Sequence, residues 1–343
     1  MQTLGRLLGA AVASAALACA QTARAQEYYA GKTITISTHS APGGQYDGYL
    51  RLLQRFLGKN IPGAPAILVM NQVGAGGLLA VNHAATNAPR DGAFLTLVAN
   101  GLLLFQGIGQ PGLRVSLGDF RWIGNFSNSN GMTVAWAGAG VRTIEDARRH
   151  SLIIGSSGAG SVSALLPAAH NALAGTQFKV VQGYEGAAAM NLAIRRGEIQ
   201  GRSGSTWKDF QADFPVETAN GTLIPLTQTG AAREAALPDV PLLSEVVGRD
   251  ERKIAAARFV GDALTQNRSL AAPPGVPDSV VAILRAAFEK TIADPEFQAQ
   301  AKISGLELSP TTGETVEKTV KAVLNAPDSV RETARAALEL KRE

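Results

Sequence analysis

Residues 34–57 join a short β-branched strand to an amphipathic helix through a Pro-Gly-Gly turn. Glycine has no side chain, so a turn of this kind lets a ligand approach the main chain closely. The first amide groups of the helix have no intrahelical acceptor, and the helix dipole is positive at that end. The junction therefore predicts a site for a small anion such as a carboxylate. The helix carries its apolar residues on one face at 3.6-residue spacing: Tyr46, Tyr49, Leu50, Leu53, Phe56 and Leu57.

Short apolar runs and helical patterns alternate through most of the chain, which is typical of an α/β architecture with largely parallel sheets. Two such series follow one another, and the second begins after Gly124. We expect residues 26–124 and 237–343 to form one discontinuous lobe and residues 125–236 to form a second. Because the chain passes twice between these lobes, we expect a hinge between them. The ligand cleft is expected between the lobes, at the carboxyl ends of the strands. The predicted strands are 34–37, 66–71, 95–99, 132–136, 152–156, 178–182, 199–202 and 223–228, and the predicted helices after the first are 160–173, 187–196, 279–292, 295–303, 313–324 and 329–340.

Residues 1–25 have the features of a secretory signal peptide. Arg6 supplies a basic start, residues 7–17 are apolar or small, and residues 23–25 read Ala-Arg-Ala at the cleavage position. The apolar run is too short to span a bilayer. We expect export and cleavage near Ala25 and Gln26. Two alternatives stay open, an ordinary hydrophobic N-terminal helix and a lipoprotein anchored at Cys19.

Composition excludes several classes of function. Cys19 is the only cysteine, so the exported chain has neither a disulfide nor a thiol nucleophile. Removing Arg6 and Arg24 with the leader lowers the formal net charge from +4 to +2, and no basic run interleaved with aromatics indicates nucleic acid. The histidines show no metal-binding spacing, and neither a nucleotide loop nor a Gly-x-Ser-x-Gly elbow is present. The sequence thus predicts no catalytic residue, no metal, no cofactor and no nucleic-acid partner.

Two further glycine-rich loops follow predicted strands. Residues 71–77 read Asn-Gln-Val-Gly-Ala-Gly-Gly, and residues 155–163 read Gly-Ser-Ser-Gly-Ala-Gly-Ser-Val-Ser. Ser157 or Ser161 is placed to cap the following helix and to bind a ligand oxygen. Each loop alone is equally an ordinary tight turn. Two glycine-rich junctions between a strand and a helix, on adjacent strands of one sheet, favour a shared ligand site more than either junction does alone.

The second lobe adds polar side chains at predicted strand ends. Tyr184 is placed to close over a ligand and donate its hydroxyl, and Arg202 to bind a carboxylate as the only formal positive charge in the cleft. An arginine paired with a nearby acidic side chain is an equal alternative for Arg202. The predicted ligand-binding residues are Ala41, Gly43, Gly44, Tyr46, Asp47, Gly74, Ala75, Gly76, Asn100, Ser127, Ser157, Ser161, Tyr184, Gly186, Arg202 and Ser205.

Seven short motifs occur in an order that resembles the extracytoplasmic substrate-binding proteins of tripartite tricarboxylate transporters, also called the Bug family. The resemblance covers essentially the whole exported chain. The motifs are Ala-Pro-Gly-Gly-x-Tyr-Asp at 41–47, Ile-Pro-Gly-x-Pro at 61–65, Val-Gly-Ala-Gly-Gly at 73–77, Ala-Pro-Arg-Asp-Gly at 88–92, Leu-Ala-Ile-Arg-Arg-Gly-Glu-Ile-Gln-Gly-Arg at 192–202, Leu-Pro-Asp-Val-Pro at 237–241 and Ala-Ala-Pro-Pro-Gly-Val-Pro at 271–277.

This resemblance implies a periplasmic protein of the type II periplasmic-binding-protein fold, with two Rossmann-like lobes that close on a small organic acid. It implies that main-chain N–H groups of the loops at 41–46 and 74–77 hold a carboxylate, often through bridging waters. It also implies delivery to the integral-membrane subunits of a transporter, and we expect a monomer without enzymatic activity. The chain departs from the commoner pattern at Tyr46, where threonine is frequent, and at 183–186, where Gly-Tyr-Glu-Gly replaces Pro-Tyr-Lys-Gly. Two alternative functions remain, an exported serine hydrolase acting through Ser157 or Ser203 and a sensor component that presents a bound ligand.

Overall fold

The computed structural model describes residues 28–158, 161–265 and 268–338. The predicted signal peptide, Cys19, the start of the predicted helix at 160–173 and the end of the one at 329–340 lie outside these ranges. The strands are β1 (Thr33–Thr38), β2 (Ala66–Asn71), β3 (Phe94–Ala99), β4 (Arg121–Asn125), β5 (Gly131–Trp136), β6 (Leu152–Ser156), β7 (Phe178–Gln182), β8 (Gly201–Ser205), β9 (Leu223–Thr229), β10 (Arg268–Ala272) and β11 (Thr311–Thr312).

Helices follow most of these strands. The α-helices are α1 (Gln45–Asn60), α2 (Leu78–Thr86), α3 (Gly101–Gly107), α4 (Ile144–Arg149), α5 (Val162–Ala169), α6 (Ala187–Arg195), α7 (Trp207–Asp213), α8 (Pro215–Ala219), α9 (Leu243–Val246), α10 (Glu251–Thr265), α11 (Asp278–Ala293), α12 (Pro295–Ile303), α13 (Gly313–Leu324) and α14 (Asp328–Leu338). Short 3₁₀ turns span Ala75–Gly77, Leu117–Asp119 and Ala137–Ala139, and α5 continues into a π-helical turn at His170–Ala174. Within the described ranges, no helix combines the length and the apolar character needed to cross a bilayer.

The strands form two sheets, each the base of one lobe. The first has the order β11-β4-β10-β3-β1-β2 and the second the order β7-β6-β8-β5-β9. Both sheets are mixed, so the expectation of largely parallel sheets is wrong. Strand β10 runs antiparallel to β3 and β4, and β5 runs antiparallel to β8 and β9. Strand β5 enters the second sheet directly from β4 of the first sheet through residues 126–130, and not from a neighbour in its own sheet through the helical crossover that joins parallel strands.

The apolar core continues from one lobe to the other. One cluster of buried residues includes Leu104 beside the first sheet, Ile154 in the second sheet, and Val260 and Leu338 in α10 and α14. Helices α10 and α14 therefore pack against both lobes. The division into residues 26–124 with 237–343 and residues 125–236 stays a prediction.

The strand register places the glycine-rich loops that follow the strands along one edge of each sheet. In the first sheet Thr38 pairs with Asn71, and Ala99 pairs with Arg268 at the start of the antiparallel β10. In the second sheet Ser156 pairs with Gln182, and Met132 pairs with Ser205. The carboxyl ends of the parallel strands thus meet at one edge, where open α/β sheets bind ligands.

Candidate ligand-binding crevice

Arg268 joins the two edges, and the region around it, where residues of the two lobes meet, is called the interlobe crevice below. Its Nη2 atom lies 3.3 Å from Oδ2 of Asp209, which stands in the first turn of α7 in the second lobe. The same Nη2 donates to Oε1 of Gln45 at 3.1 Å. Arg268 is 3% exposed and Asp209 7%. A buried cation of the first lobe therefore meets a buried anion of the second.

Two tyrosines of α1 surround this guanidinium. Arg268 lies 4.9 Å from the ring centroid of Tyr49 and 5.5 Å from that of Tyr46, within the range of cation–π attraction. The ring of His39, just after β1, packs edge-on against Tyr46 at 4.5 Å. Burial lowers the pKa of His39 to about 4, so this imidazole is neutral at physiological pH. The predicted ligand residue Tyr46 thus belongs to an aromatic wall of the crevice.

The first glycine loop is organised by Asp47. Its Oδ2 accepts the Gly43 N–H at 2.9 Å, and its Oδ1 accepts from Asn71 Nδ2 at 2.9 Å and from Arg51 Nε at 3.1 Å. Burial alone would raise the pKa of Asp47, but these hydrogen bonds outweigh it and the pKa is lowered. Asp47, predicted to touch the ligand, therefore ties the first loop to the end of β2.

The amides of this first loop are largely used within it. Gly43 donates to Asp47, and the Gly44 N–H donates to the carbonyl oxygen of Ala41 at 3.0 Å. A methyl group on Gly44 would lie 2.2 Å from Oγ of Ser40, so that hydroxyl would have to rotate away to accept a side chain there. The structure thus assigns to Gly43 and Gly44 the role of shaping the turn, which is the alternative that the sequence left open.

The second glycine loop, residues 74–77, has main-chain amides that are available to a ligand. Gly74, Ala75, Gly76 and Gly77 all have positive φ, at 142°, 47°, 63° and 99°. Ala75 is strained in this region, where non-glycine residues are uncommon, and such strain concentrates at functional sites. Gly77 donates to the Gly74 carbonyl at 3.0 Å, whereas within the described ranges the exposed amides of Ala75 and Gly76 have no acceptor. These two N–H groups are free to bind an anion.

This second loop sits close to the Arg268 edge. A methyl group on Gly77 would lie 2.7 Å from Cβ of Ala99 and 3.5 Å from the side chain of His39. Ala99 is the register partner of Arg268. The free amides, which follow β2, and the buried cation, which begins β10, therefore lie at the same edge of the first sheet. Strands β1 and β3 lie between β2 and β10.

The third loop, after β6, is a cluster of serines. Ser161 Oγ lies 2.7 Å from Ser163 Oγ and donates to the Gly158 carbonyl at 2.7 Å, and Ser157 Oγ lies 3.4 Å from Ser163 Oγ. The two predicted ligand residues Ser157 and Ser161 thus contact other hydroxyl groups. Within the described part of the chain, neither Ser157 nor Ser203 contacts a histidine, and Ser203 pairs with Thr133 at 2.8 Å. His170 contacts Leu166 and Thr227.

The two Nη atoms of Arg202 bind partners within the second lobe, whereas its buried Nε has none. Its Nη1 contacts Asn191 and lies 3.3 Å from Asp213 Oδ2, and its Nη2 contacts Ser205. The guanidinium also stacks on Phe210 at 4.7 Å. Arg202 is the second residue of β8, near the amino end of a strand predicted to end there. These contacts agree with the alternative of an arginine paired with a nearby acidic side chain, here Asp213, and Arg268 is a buried cation that the sequence did not single out.

Four further predicted residues are Asn100, Ser127, Tyr184 and Gly186. Asn100 begins α3, and its N–H donates to the Tyr46 hydroxyl at 3.4 Å. Ser127 is fully buried in the connection between the sheets, 2.8 Å from Ser129 Oγ. Tyr184 is half-buried against the core of the second lobe, and Gly186, with φ of 86°, precedes α6.

Buried polar atoms without a partner are concentrated at the two edges. Of the six such atoms in the described ranges, His39 Nδ1, Gln72 Oε1, Thr229 Oγ1 and Arg268 Nε lie at strand ends there, and the other two are Arg202 Nε and Glu307 Oε2. Each such atom in a folded protein calls for an explanation, and a polar ligand is one. In contrast, no group of three His, Cys, Asp or Glu side chains in the described ranges could hold a metal ion.

A depression of about 380 Å³ adjoins the crevice at Gln45, the residue that also accepts from Arg268. It is lined by residues of the first lobe alone, including Gly43, Gly44, Arg51 and Arg55 on the outer face of α1. Arg51 already contacts Asp47 and Asn71. We place the candidate site in the crevice, where the orphaned polar atoms are.

Comparison with known proteins identifies relatives. The sequence profile of the tripartite tricarboxylate transporter family receptors, TctC, matches residues 50–326. No curated protein matches the sequence. A solved TctC solute-binding protein from Polaromonas, without ligand, is 22% identical, with a TM-score of 0.64 over 86% of this chain and 96% of that one.

Two solved proteins from Rhodopseudomonas palustris are similar to the same degree. MatC with bound malate is 20% identical, with a TM-score of 0.64 over 90% of this chain and 99% of that one. A second protein, with adipate, is 19% identical, with a TM-score of 0.64 over 88% and 97%. At these identities the likeness shows the fold, and it confirms the predicted two-lobed α/β architecture.

Proposed function

Since the chain belongs to the tripartite tricarboxylate transporter receptor family over residues 50–326, we propose that it is a periplasmic solute-binding protein. It captures a small organic acid between its lobes and delivers it to the membrane subunits of the transporter. The bound malate and adipate of the two R. palustris proteins support an organic acid as the ligand class. The observation that carries the proposal is the pair of unpartnered amides at Ala75 and Gly76 on the edge that holds Arg268.

Energetics support a carboxylate at this edge. A hydrogen bond to a charged group contributes about 1.5–3 kcal/mol, so four contribute roughly 6–12 kcal/mol. Desolvation of the carboxylate and lost translational freedom oppose this with several kcal/mol each. A net of about −8 kcal/mol corresponds to a Kd of about 1 μM. That affinity suits both capture and release.

We further propose that the protein is a binder and not an enzyme. The serine hydrolase alternative requires a base beside its nucleophile. The contacts of Ser157 and Ser203 with other hydroxyl groups, described above, offer no such base. A fluorophosphonate probe is expected to leave the protein unlabelled, and labelling at either serine would contradict the proposal.

The ligand class is tested on the purified exported protein. Malate, adipate and citrate are titrated by calorimetry, and small molecules released on denaturation are identified by mass spectrometry. A carboxylate that binds or co-purifies supports the proposal. Absence of any carboxylate in both measurements would refute it.

Export is proposed from the leader at residues 1–25. The intact mass of the protein from a periplasmic extract is expected to match a chain that begins at Gln26. A diacylglycerol-modified chain that begins at Cys19 would support the lipoprotein alternative instead. Size-exclusion chromatography with light scattering tests the proposed monomer.

A further inference from the structure

The donors of Arg268 are unequally used. Its Nη2 faces two acceptors, Gln45 Oε1 at 3.1 Å and Asp209 Oδ2 at 3.3 Å. An Nη2 group has two hydrogens, so these acceptors occupy it fully. The buried Nε has no partner. Carboxylates bind arginine most strongly through two parallel hydrogen bonds, and a carboxylate at the Nε edge therefore displaces one acceptor from Nη2.

Asp209 is the acceptor that leaves at low cost. Its Oδ2 also accepts the Thr206 N–H at 3.1 Å, while the Thr206 hydroxyl accepts the Asp209 N–H at 3.2 Å. This capping box and the positive end of the α7 dipole stabilise the carboxylate independently of Arg268. The contact of 3.3 Å between Asp209 and Arg268 is itself longer than a usual N–H···O hydrogen bond.

Asp209 also sets the charge that an incoming carboxylate meets. Glu307 acts electrostatically on Arg268 together with Asp209, and the two charges add to burial in raising the pKa of Glu234. Glu307 Oε2 is buried without a partner. Two carboxylates, those of Asp209 and Glu307, thus act on the guanidinium of Arg268. A ligand carboxylate that approaches Arg268 is repelled by these two charges and attracted by the guanidinium.

We propose that Asp209 is an internal competitor of the ligand, whose carboxylate replaces Asp209 on Arg268. This inference rests on the proposed function and names the residues that set its affinity. Asp209 holds Arg268 in the crevice and limits how tightly any acid binds. After the exchange, Asp209 Oδ2 keeps the hydrogen bond from the Thr206 N–H in the capping box of α7.

The chain offers a matched control for this exchange. Arg202 and Asp213 form a second ion pair, also at 3.3 Å and with a buried guanidinium, but both partners belong to the second lobe. Asp209→Asn and Asp213→Asn each remove one negative charge and keep a side-chain acceptor. Only Asp209→Asn removes a competitor from the crevice.

The experiment titrates wild type, Asp209→Asn, Asp213→Asn and Arg268→Lys with malate and adipate by calorimetry. Asp209→Asn is expected to bind about five- to tenfold more tightly than wild type, and Asp213→Asn within about twofold of it. Arg268→Lys is expected to lose at least about tenfold, because lysine cannot bind bidentately. Thermal melts confirm that each variant is folded.

Acids that bind wild type but bind Asp209→Asn no more tightly would overturn the exchange and leave the proposed function standing. Undiminished binding to Arg268→Lys would overturn it as well. If neither acid binds any of the four proteins and no carboxylate co-purifies, the proposed function fails and the exchange fails with it.

Discussion

Gly76 and Gly175 form a natural pair of sites for testing the second glycine loop. Gly76 has φ 63° and ψ 22°, and Gly175 has φ 74° and ψ 26°. A methyl group at either position meets no atom within 4 Å. Alanine in this left-handed conformation costs about 1–2 kcal/mol, so both substitutions are expected to lower Tm by a similar amount, roughly 1–3 °C for a chain of this length.

Binding is expected to separate the two variants. The methyl of Gly76→Ala stands beside the free amides and keeps a carboxylate from close approach. The loss of one charge-assisted hydrogen bond is worth about 1.5–3 kcal/mol, which is a loss of roughly 10- to 150-fold in affinity. Gly175 precedes β7, at the edge of the second sheet away from the crevice, so Gly175→Ala is expected to bind like wild type.

Calorimetry with malate, adipate and citrate on wild type and the two variants measures this difference, and thermal melts measure the shared loss of stability. Equal affinities of Gly76→Ala and Gly175→Ala for an acid that binds wild type would refute the assignment of the loop to the ligand.

Three further predictions concern stability. Gly77→Ala is expected to destabilise the protein by about 2–5 kcal/mol, more than Gly76→Ala, because its methyl would lie 2.7 Å from Ala99 in addition to the strain of φ 99°; urea unfolding that ranks the two equally would contradict this. The pKa of Asp47 is lowered, so its stabilisation is present above the unfolded value near 4 and is lost as pH falls through the folded value; Asp47→Asn is expected to be less stable than wild type at pH 7 and to approach it at pH 3, and a pH-independent difference in melting would argue against the hydrogen bonds described. Burial lowers the pKa of His39 and of His170 to about 4, so the folded state binds fewer protons than the unfolded state and stability falls between about pH 6.5 and pH 4, by up to about 3 kcal/mol for the fully buried His170; NMR titration of either imidazole near pH 6.5 would contradict the burial.

Periodicity located many elements well. The predicted bounds of β2, β6, β7, α12 and α13 agree with the structure. Alternating or 3.6-residue apolar patterns mark these segments because each packs one face on a core. Helix α1 continues to Asn60, three residues beyond Leu57, the last residue of its predicted apolar face.

The central strand β10 left no such pattern. It reads Arg-Ser-Leu-Ala-Ala, without β-branched or aromatic residues, yet all five residues are buried. Its place in the sheet depends on tertiary contacts with β3 and β4 that come from distant parts of the chain. Because β10 was not predicted, neither was its first residue, Arg268.

The candidate site was likewise predicted from the sequence only in part. Local turn chemistry predicted the glycine loops, but which amides are free depends on long-range bonds such as the one between Asp47 and Asn71. The pair of Arg268 and Asp209 joins residues 59 positions apart on different lobes. Arg202 was favoured instead because β8 was expected to end there, whereas β8 runs from Gly201 to Ser205.

A crystal structure of the protein with malate or its co-purified acid tests the central claim most directly. The account predicts a carboxylate in the interlobe crevice, hydrogen-bonded to the amides of Ala75 and Gly76 or to the guanidinium of Arg268. A ligand seated instead on the outer face of α1, against Arg51 and Arg55, would contradict it.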